Sequence, residues 1–207
     1  MKKLIGAWMM LMAALPVFAQ DLAPDALAKK VTDEVVAVLR ADKDIQAGNT
    51  KKVLDLVEAK ILPNFDFTRM TRLAVGAPWR QASSGQQQSL TAEFRALLLN
   101  TYTSAFTQYR NQTIEYRPLK LLPGDTEVVV RSLIKQSNGA DPIEINYSME
   151  KTDAGWKVYD LTIAGVSLVQ NYRSSFGSEI QKGGIDGLIQ TLATKNKALA
   201  PQQAARK

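Results

Sequence analysis

The chain has neither cysteine nor histidine. Without histidine the Ser-His-Asp and Cys-His nucleophile systems are gone, and the two absences together remove thiolate redox chemistry and ordinary zinc sites. No disulfide can brace the fold in an oxidising compartment, so stability has to come from packing alone. Long apolar runs are equally scarce: the one candidate lies at the N-terminus and falls short of the roughly 20 residues that a membrane-spanning helix needs. No basic stripe is interleaved with aromatics, which argues against nucleic acid as a partner. Internal repeats and low-complexity tracts are missing too.

What remains is ordinary globular material. Over 207 residues, 45% hydrophobic and 22% charged side chains suit one or two domains with a real core. Residues 1–19 read as a signal peptide: Lys2 and Lys3 precede the apolar "LIGAWMMLMAALPV", and Val17-Phe18-Ala19 offers a cleavage site. No cysteine follows that site to carry a lipid anchor, so the mature chain is expected to be exported and water-soluble. Losing Lys2 and Lys3 lowers the 26 Lys and Arg by two against 20 Asp and Glu, leaving a mature charge of about +4. These charges are scattered, as on a solvated surface, with weak attraction to anionic membranes as the secondary reading.

Residues 20–82 form an N-terminal helical part. Leu27, Val31, Val35, Val38 and Leu39 recur at helical spacing behind Pro24, which is tolerated in a first turn. A second helix is expected from Thr50 to about Leu62, stopping at Pro63, and a short third one within "NFDFTRMTRLAVGAPW". Residues 83–199 form the second part. It starts with the longest helix, N-capped by Ser83 or Ser84 and striped by Leu90, Phe94, Leu97, Leu98, Tyr102, Ala105, Phe106 and Tyr109.

From Gln112 the period changes to two, and "QTIEYRPLKLL", "TEVVVRSLIKQ", "DPIEINYSMEKT" and "GWKVYDLTIAG" read as strands. Short links with Gly or Asn join them, which predicts a four-stranded antiparallel meander. In the third strand Ile143, Ile145, Tyr147 and Met149 share a face, and in the second Val128, Val130 and Ile134 do so around Ser132. Pro118 marks the first strand as an edge or as bulged. The fourth alternates poorly, since Trp156 and Val158 fall on one parity and Tyr159, Leu161 and Ile163 on the other, which calls for a bulge or two buried faces.

Two helical stripes close the chain: Val166, Val169, Tyr172, Phe176 and Ile180, then Ile185, Leu188, Ile189 and Leu192 beyond a joint at Gly183-Gly184. Residues 200–207 read as a disordered tail. Helices first, sheet second and helices last give an α+β fold with helices over one face of the sheet and a helical subdomain.

Carboxylate or tyrosine chemistry survives the eliminations, with Asp160 beside Tyr159 as the pair to weigh. The bland reading, a hydrogen-bonded strand aspartate, carries the greater weight. "AGVSLV" around Ser167 lacks the second glycine of a nucleophile elbow, and "GGIDG" has the spacing of neither a phosphate nor a calcium loop.

"GVSLVQNYRSSFGSEIQKGGIDGLIQTL", preceded by "WKVYDLTIAG" and by the earlier "ILPNFDFTRMTRLAVGAPW" and "LTAEFRALLLNTYTSAFTQY", resembles the MlaC, or toluene-tolerance, family of periplasmic phospholipid-binding proteins. The most specific part is "GVS…NYR…F…I…GGIDGLI". The resemblance implies a sheet of the nuclear transport factor two-like type that encloses acyl chains against helices. It also implies a non-enzymatic monomer without cofactor or metal. Its partners would be glycerophospholipid, an outer-membrane lipoprotein complex and an inner-membrane ABC transporter with its substrate-binding subunit.

Such a carrier must hide hydrocarbon thoroughly, since each exposed CH₂ costs roughly 0.8 kcal/mol and two long chains sum to more than about 20 kcal/mol. That calls for a dry pocket near the top of the usual range of about 300 to 1,000 Å³. The expected lipid-binding residues are Val128, Val130, Ile143, Ile145, Tyr147, Met149 and Val158 on the sheet. From the helices come Tyr102, Phe106, Val166, Val169, Tyr172 and Phe176. Opening is expected to hinge at Gly183-Gly184 or between the sheet and the last helices. Three other readings use the same residues: a filled core, a small-molecule isomerase or dehydratase using Asp160 and a tyrosine, and an adaptor without ligand.

Overall fold

In a computed structural model of the chain, residues 22–109, 112–136 and 139–204 are described, and the expected signal peptide lies outside them. Helix α1 (Pro24–Ala41) begins with proline in its first turn and buries Val35 and Leu39. A short helix absent from the sequence reading, α2 (Lys43–Gln46), follows because the Asp42 carboxylate accepts from the N–H groups of Asp44 and Ile45. Helix α3 (Thr50–Leu56) is capped by Asn49. It does not run on as an α-helix to Leu62. The chain widens into a π-helical turn at Val57–Ile61, where the Leu62 N–H donates to the Val57 carbonyl, and then tightens into a 3₁₀ turn at Leu62–Asn64. Pro63 has no N–H to continue the ladder.

Helix α4 (Phe67–Val75) starts at the Asp66 cap and stops at Gly76, whose φ of 73° no longer fits a helix. Helix α5 (Ser84–Thr107) has a capping box in which the Ser83 hydroxyl accepts from the Gln86 N–H and the Gln86 side chain accepts from the Ser83 N–H.

The sheet has five antiparallel strands in sequential order, one more than expected: β1 (Thr113–Tyr116), β2 (Glu127–Lys135), β3 (Ile143–Thr152), β4 (Gly155–Ile163) and β5 (Val166–Ser167). The extra strand corrects the reading of Val166 as the first residue of a helical stripe. Ala164 and Gly165 both have positive φ, 48° and 82°, which is the backbone of a tight hairpin, so Val166 pairs with Ile163 and lies 55% exposed. Strand β1 is an edge and stops ahead of Pro118.

Met149 pairs with Val158 whereas Ser148 pairs with Asp160, leaving Tyr159 as an extra residue in β4. That bulge moves Leu161 and Ile163 onto the face already occupied by Val158, which accounts for the broken alternation.

Helix α6 (Leu168–Ala204) closes the fold. It runs past residue 200, where a disordered tail was expected, and it is interrupted at Gly184, with φ 66° and ψ −168°. This conformation is essentially reserved for glycine, so Gly184→Ala should destabilise the protein by about 1–3 kcal/mol, read as a lowered midpoint in urea unfolding. A Cβ there meets nothing within 4 Å, so the loss would be conformational and not steric.

The buried side chains fall into three clusters. One joins α4, α5 and α6 through Met70, Leu90, Phe94, Phe176, Leu188 and Leu192. A second joins α1 and α3 through Val35, Leu39, Val53 and Leu56. The third lies on the sheet, with Val130, Met149, Trp156 and Val158 beneath Ala28.

Candidate functional site: an apolar cavity between sheet and helices

Where these three clusters meet they do not close on one another. A cavity of about 350 Å³ lies between them. Its floor is the inner face of the sheet: Ile145, Tyr147 and Met149 from β3, with Val158, Leu161 and Ile163 from β4. The bulge at Tyr159 is what lets both halves of β4 face inward. One wall is α5, which contributes Leu98, Leu99, Tyr102 and Phe106 at spacings of three and four. The opposite wall is α1 together with the π-helical turn, through Val31, Val35, Val57 and Ile61. The volume lies near the bottom of the expected range and not the top. The wall at Val35 and Val57 shares one packing cluster with Leu99 and Phe106 of α5, whereas Met149 and Val158 of the floor belong to another.

Of the residues expected at this site, Tyr102, Phe106, Ile145, Tyr147, Met149 and Val158 line the cavity. The others do not. Val169 and Phe176 are buried in the helical cluster, with Tyr172 packed against it, because the first half of α6 faces α4 and α5. Val130 is fully buried in the sheet cluster with Val128 against it, and Ile143 pairs with Ile134 at the far end of β3 without lining the cavity. Val166 is on the outside.

The reading missed the α1 wall and the π-helical turn. The stripe on α1 was visible, but periodicity alone does not say whether an apolar face meets a filled core or a space. The cavity therefore draws its walls from both sides of residue 83.

Two neutral polar side chains that line the cavity are bonded within the protein. The Thr103 hydroxyl donates to the Leu99 carbonyl at 2.6 Å, and the Asn64 amide donates to the Lys60 carbonyl at 2.8 Å. Tyr116 joins α1 to the sheet: its hydroxyl lies 2.6 Å from that of Thr32 and donates to the Ala28 carbonyl at 3.1 Å. Burial pushes the phenols of Tyr116 and Tyr102 above their ordinary range, so both stay neutral. Tyr116→Phe should cost about 1 kcal/mol, seen as a lower denaturant midpoint, and should speed amide exchange along α1.

Asp160 is occupied elsewhere. It pairs across from Ser148, on the sheet face opposite Tyr147 and Met149. There its carboxylate accepts from the Ser167 hydroxyl at 2.5 Å and from the Val169 N–H at 3.0 Å, pinning the start of α6. Ser167 in turn accepts from the Gln170 N–H, as an N-cap does. Neither residue reaches the cavity.

A second charged group clamps α4 to the sheet. Arg69 pairs with Glu127 at 2.7 Å and with Glu150, and lies 3.7 Å over the ring of Tyr159. The Arg69 hydrogen bond holds the Glu127 carboxyl below its usual range. Among the described residues no group of acidic side chains is arranged to hold a metal ion, and no helix is long and apolar enough to cross a membrane.

A sheet packed against helices around an apolar cavity defines a protein with room for hydrophobic material. The chain belongs to the MlaC family, whose model, described as MlaC protein, matches residues 29–194. It is 26% identical over 171 residues to the intermembrane phospholipid transport system binding protein MlaC of Haemophilus influenzae, covering 82% of this chain and 80% of that one. It is 25% identical over 182 residues to the toluene tolerance protein ttg2D of Pseudomonas putida, covering 86% and 83%. Among solved structures it is similar to a phospholipid-binding protein from Ralstonia solanacearum in complex with a phospholipid. There the TM-score is 0.80 and the identity 42%, over 86% of this chain and 99% of that one.

Proposed function

We propose that the protein is a soluble periplasmic carrier of glycerophospholipid. The observation that carries this reading is the apolar chamber between sheet and helices, lined mainly by hydrocarbon, with the Thr103 hydroxyl and the Asn64 amide already bonded within the protein. A chamber with so little unmet polar demand suits hydrocarbon and leaves the polar end of the lipid at its rim. Relatives named for phospholipid transport, and the fold shared with a phospholipid-bound structure, support it.

On this reading the sheet is of the nuclear transport factor two-like type, and the chain acts as a monomer without catalysis. It passes lipid between an outer-membrane lipoprotein complex and an inner-membrane ABC transporter with its substrate-binding subunit, which maintains outer-membrane lipid asymmetry. Residues 1–19 serve as the export signal. The isomerase reading loses its base, because Asp160 faces away from the cavity and is engaged at the start of α6.

The test is native mass spectrometry of gently purified protein. A mass increment matching a phospholipid is expected, released on organic extraction. Protein that stays empty when incubated with phospholipid vesicles would overturn the proposal.

A further inference from the structure

Arg95 is the one charged side chain among the described residues that line the cavity. It stands on α5 one turn before Leu98 and Leu99, where the apolar wall meets solvent, and its side chain is 42% exposed. Its bond within the protein is to Glu58 on the π-helical turn, at 3.5 Å. That is long for a charge-assisted bond, which normally closes to about 2.7–2.9 Å. Glu58 is itself 54% exposed, so the pair is loosely held and wet.

A guanidinium has a planar fork of donors that matches a phosphate oxygen pair, and one bond to Glu58 leaves most of that fork free. A cation placed against hydrocarbon loses hydration, so an anion delivered beside it is worth more than one in open water.

We propose that Arg95 is the phosphate-binding residue of the cavity: with acyl chains between α5 and the sheet, it holds the phosphodiester of the same molecule at the rim. This rests on the carrier reading above and adds a polar anchor to it. Any glycerophospholipid presents this phosphodiester whatever its headgroup, so Arg95 selects phospholipid over uncharged lipid and not one headgroup over another. Glu58 is the internal competitor that occupies the fork until lipid arrives, and its displacement lets the anchor release as readily as it engages.

The experiment compares dioleoylphosphatidylglycerol with dioleoylglycerol, which has the same tails and no phosphate, on delipidated full-length mature protein. Arg95→Gln should weaken binding of the phospholipid about ten-fold and leave dioleoylglycerol unchanged, as loss of one charge-assisted contact predicts. Arg95→Lys, with a charge but no fork, should fall between, and Glu58→Gln should tighten phospholipid binding.

Equal losses for both lipids in Arg95→Gln would make Arg95 a piece of apolar wall and overturn the inference while leaving the carrier reading intact. If the unaltered protein bound neither lipid, the carrier reading itself would fall. Inorganic phosphate titrated alone, without tails to bury, should bind far more weakly than the phospholipid; binding as strong as that of the phospholipid would make this a general anion site and refute the lipid assignment. Thermal melts of each variant identify any that fail to fold, and Glu58→Gln then decides the matter without altering Arg95.

Discussion

Ile145→Trp is expected to strip the protein of lipid while leaving it folded. Ile145 sits on the cavity floor and its side chain is only half-buried, so an indole there extends into existing space and not into neighbouring atoms. The space it takes is space for hydrocarbon. Displacing even two methylenes into water costs about 1.6 kcal/mol, roughly a ten-fold loss of affinity, and an indole across a 350 Å³ cavity displaces more than two.

Val130→Trp makes the contrast. From the alternation of β2 and β3 the two positions look equivalent, since Val130 and Ile145 both carry aliphatic side chains on the inner face. Val130 is fully buried within the sheet cluster, however, and an indole there would overpack it, at about 1–3 kcal/mol of stability. The pair separates filling a cavity from straining a core: Ile145→Trp should lose lipid with an unchanged or higher melting temperature, and Val130→Trp should lose melting temperature first. Native mass spectrometry and a thermal melt on each variant measure both quantities. Undiminished lipid in Ile145→Trp would remove this residue from the pocket.

Those two residues also mark how far sequence patterning reaches. Period two on β3 correctly put Ile145, Tyr147 and Met149 on one side, and the helical spacing on α5 put Tyr102 and Phe106 on another, because both follow from local backbone geometry. Whether an apolar side chain meets a partner is a long-range fact. Val169, Tyr172 and Phe176 had a stripe as clear as any, yet their partners are Phe94 and its neighbours, so they are core.

Val166 failed for a local reason that could have been seen. Ala164-Gly165 is a turn pair, and a hairpin there makes the next two residues a strand before a helix can start. The bulge at Tyr159 was foreshadowed by the parity switch, and the glycine joint in α6 by Gly183-Gly184. The wall formed by α1 and the π-helical turn had no local sign, because its role depends on α5 and the sheet lying across from it.

Phe94→Ala should cost the protein about 3–5 kcal/mol, the largest loss of stability expected from any single truncation considered. Phe94 has no exposed surface, and its ring meets those of Tyr172 and Phe176 edge-on at 5.1 Å each. Through those contacts it locks α5 to the first half of α6, and edge-to-face pairs add to the area they bury. Truncation would open a void inside the cluster that joins α4, α5 and α6, which can relax only partly to fill it.

For a chain of this size such a loss lowers the melting temperature by roughly 10 °C. Leu99→Ala is the control: Leu99 lies further along the same helix but fronts the cavity, so truncating it enlarges a space that already exists and should cost clearly less. Equal losses at the two positions would mean that the cavity wall is packed as tightly as the core. The walls could then not part for acyl chains without unfolding α5, and a small difference between the two variants would count against the carrier as strongly as an empty protein would.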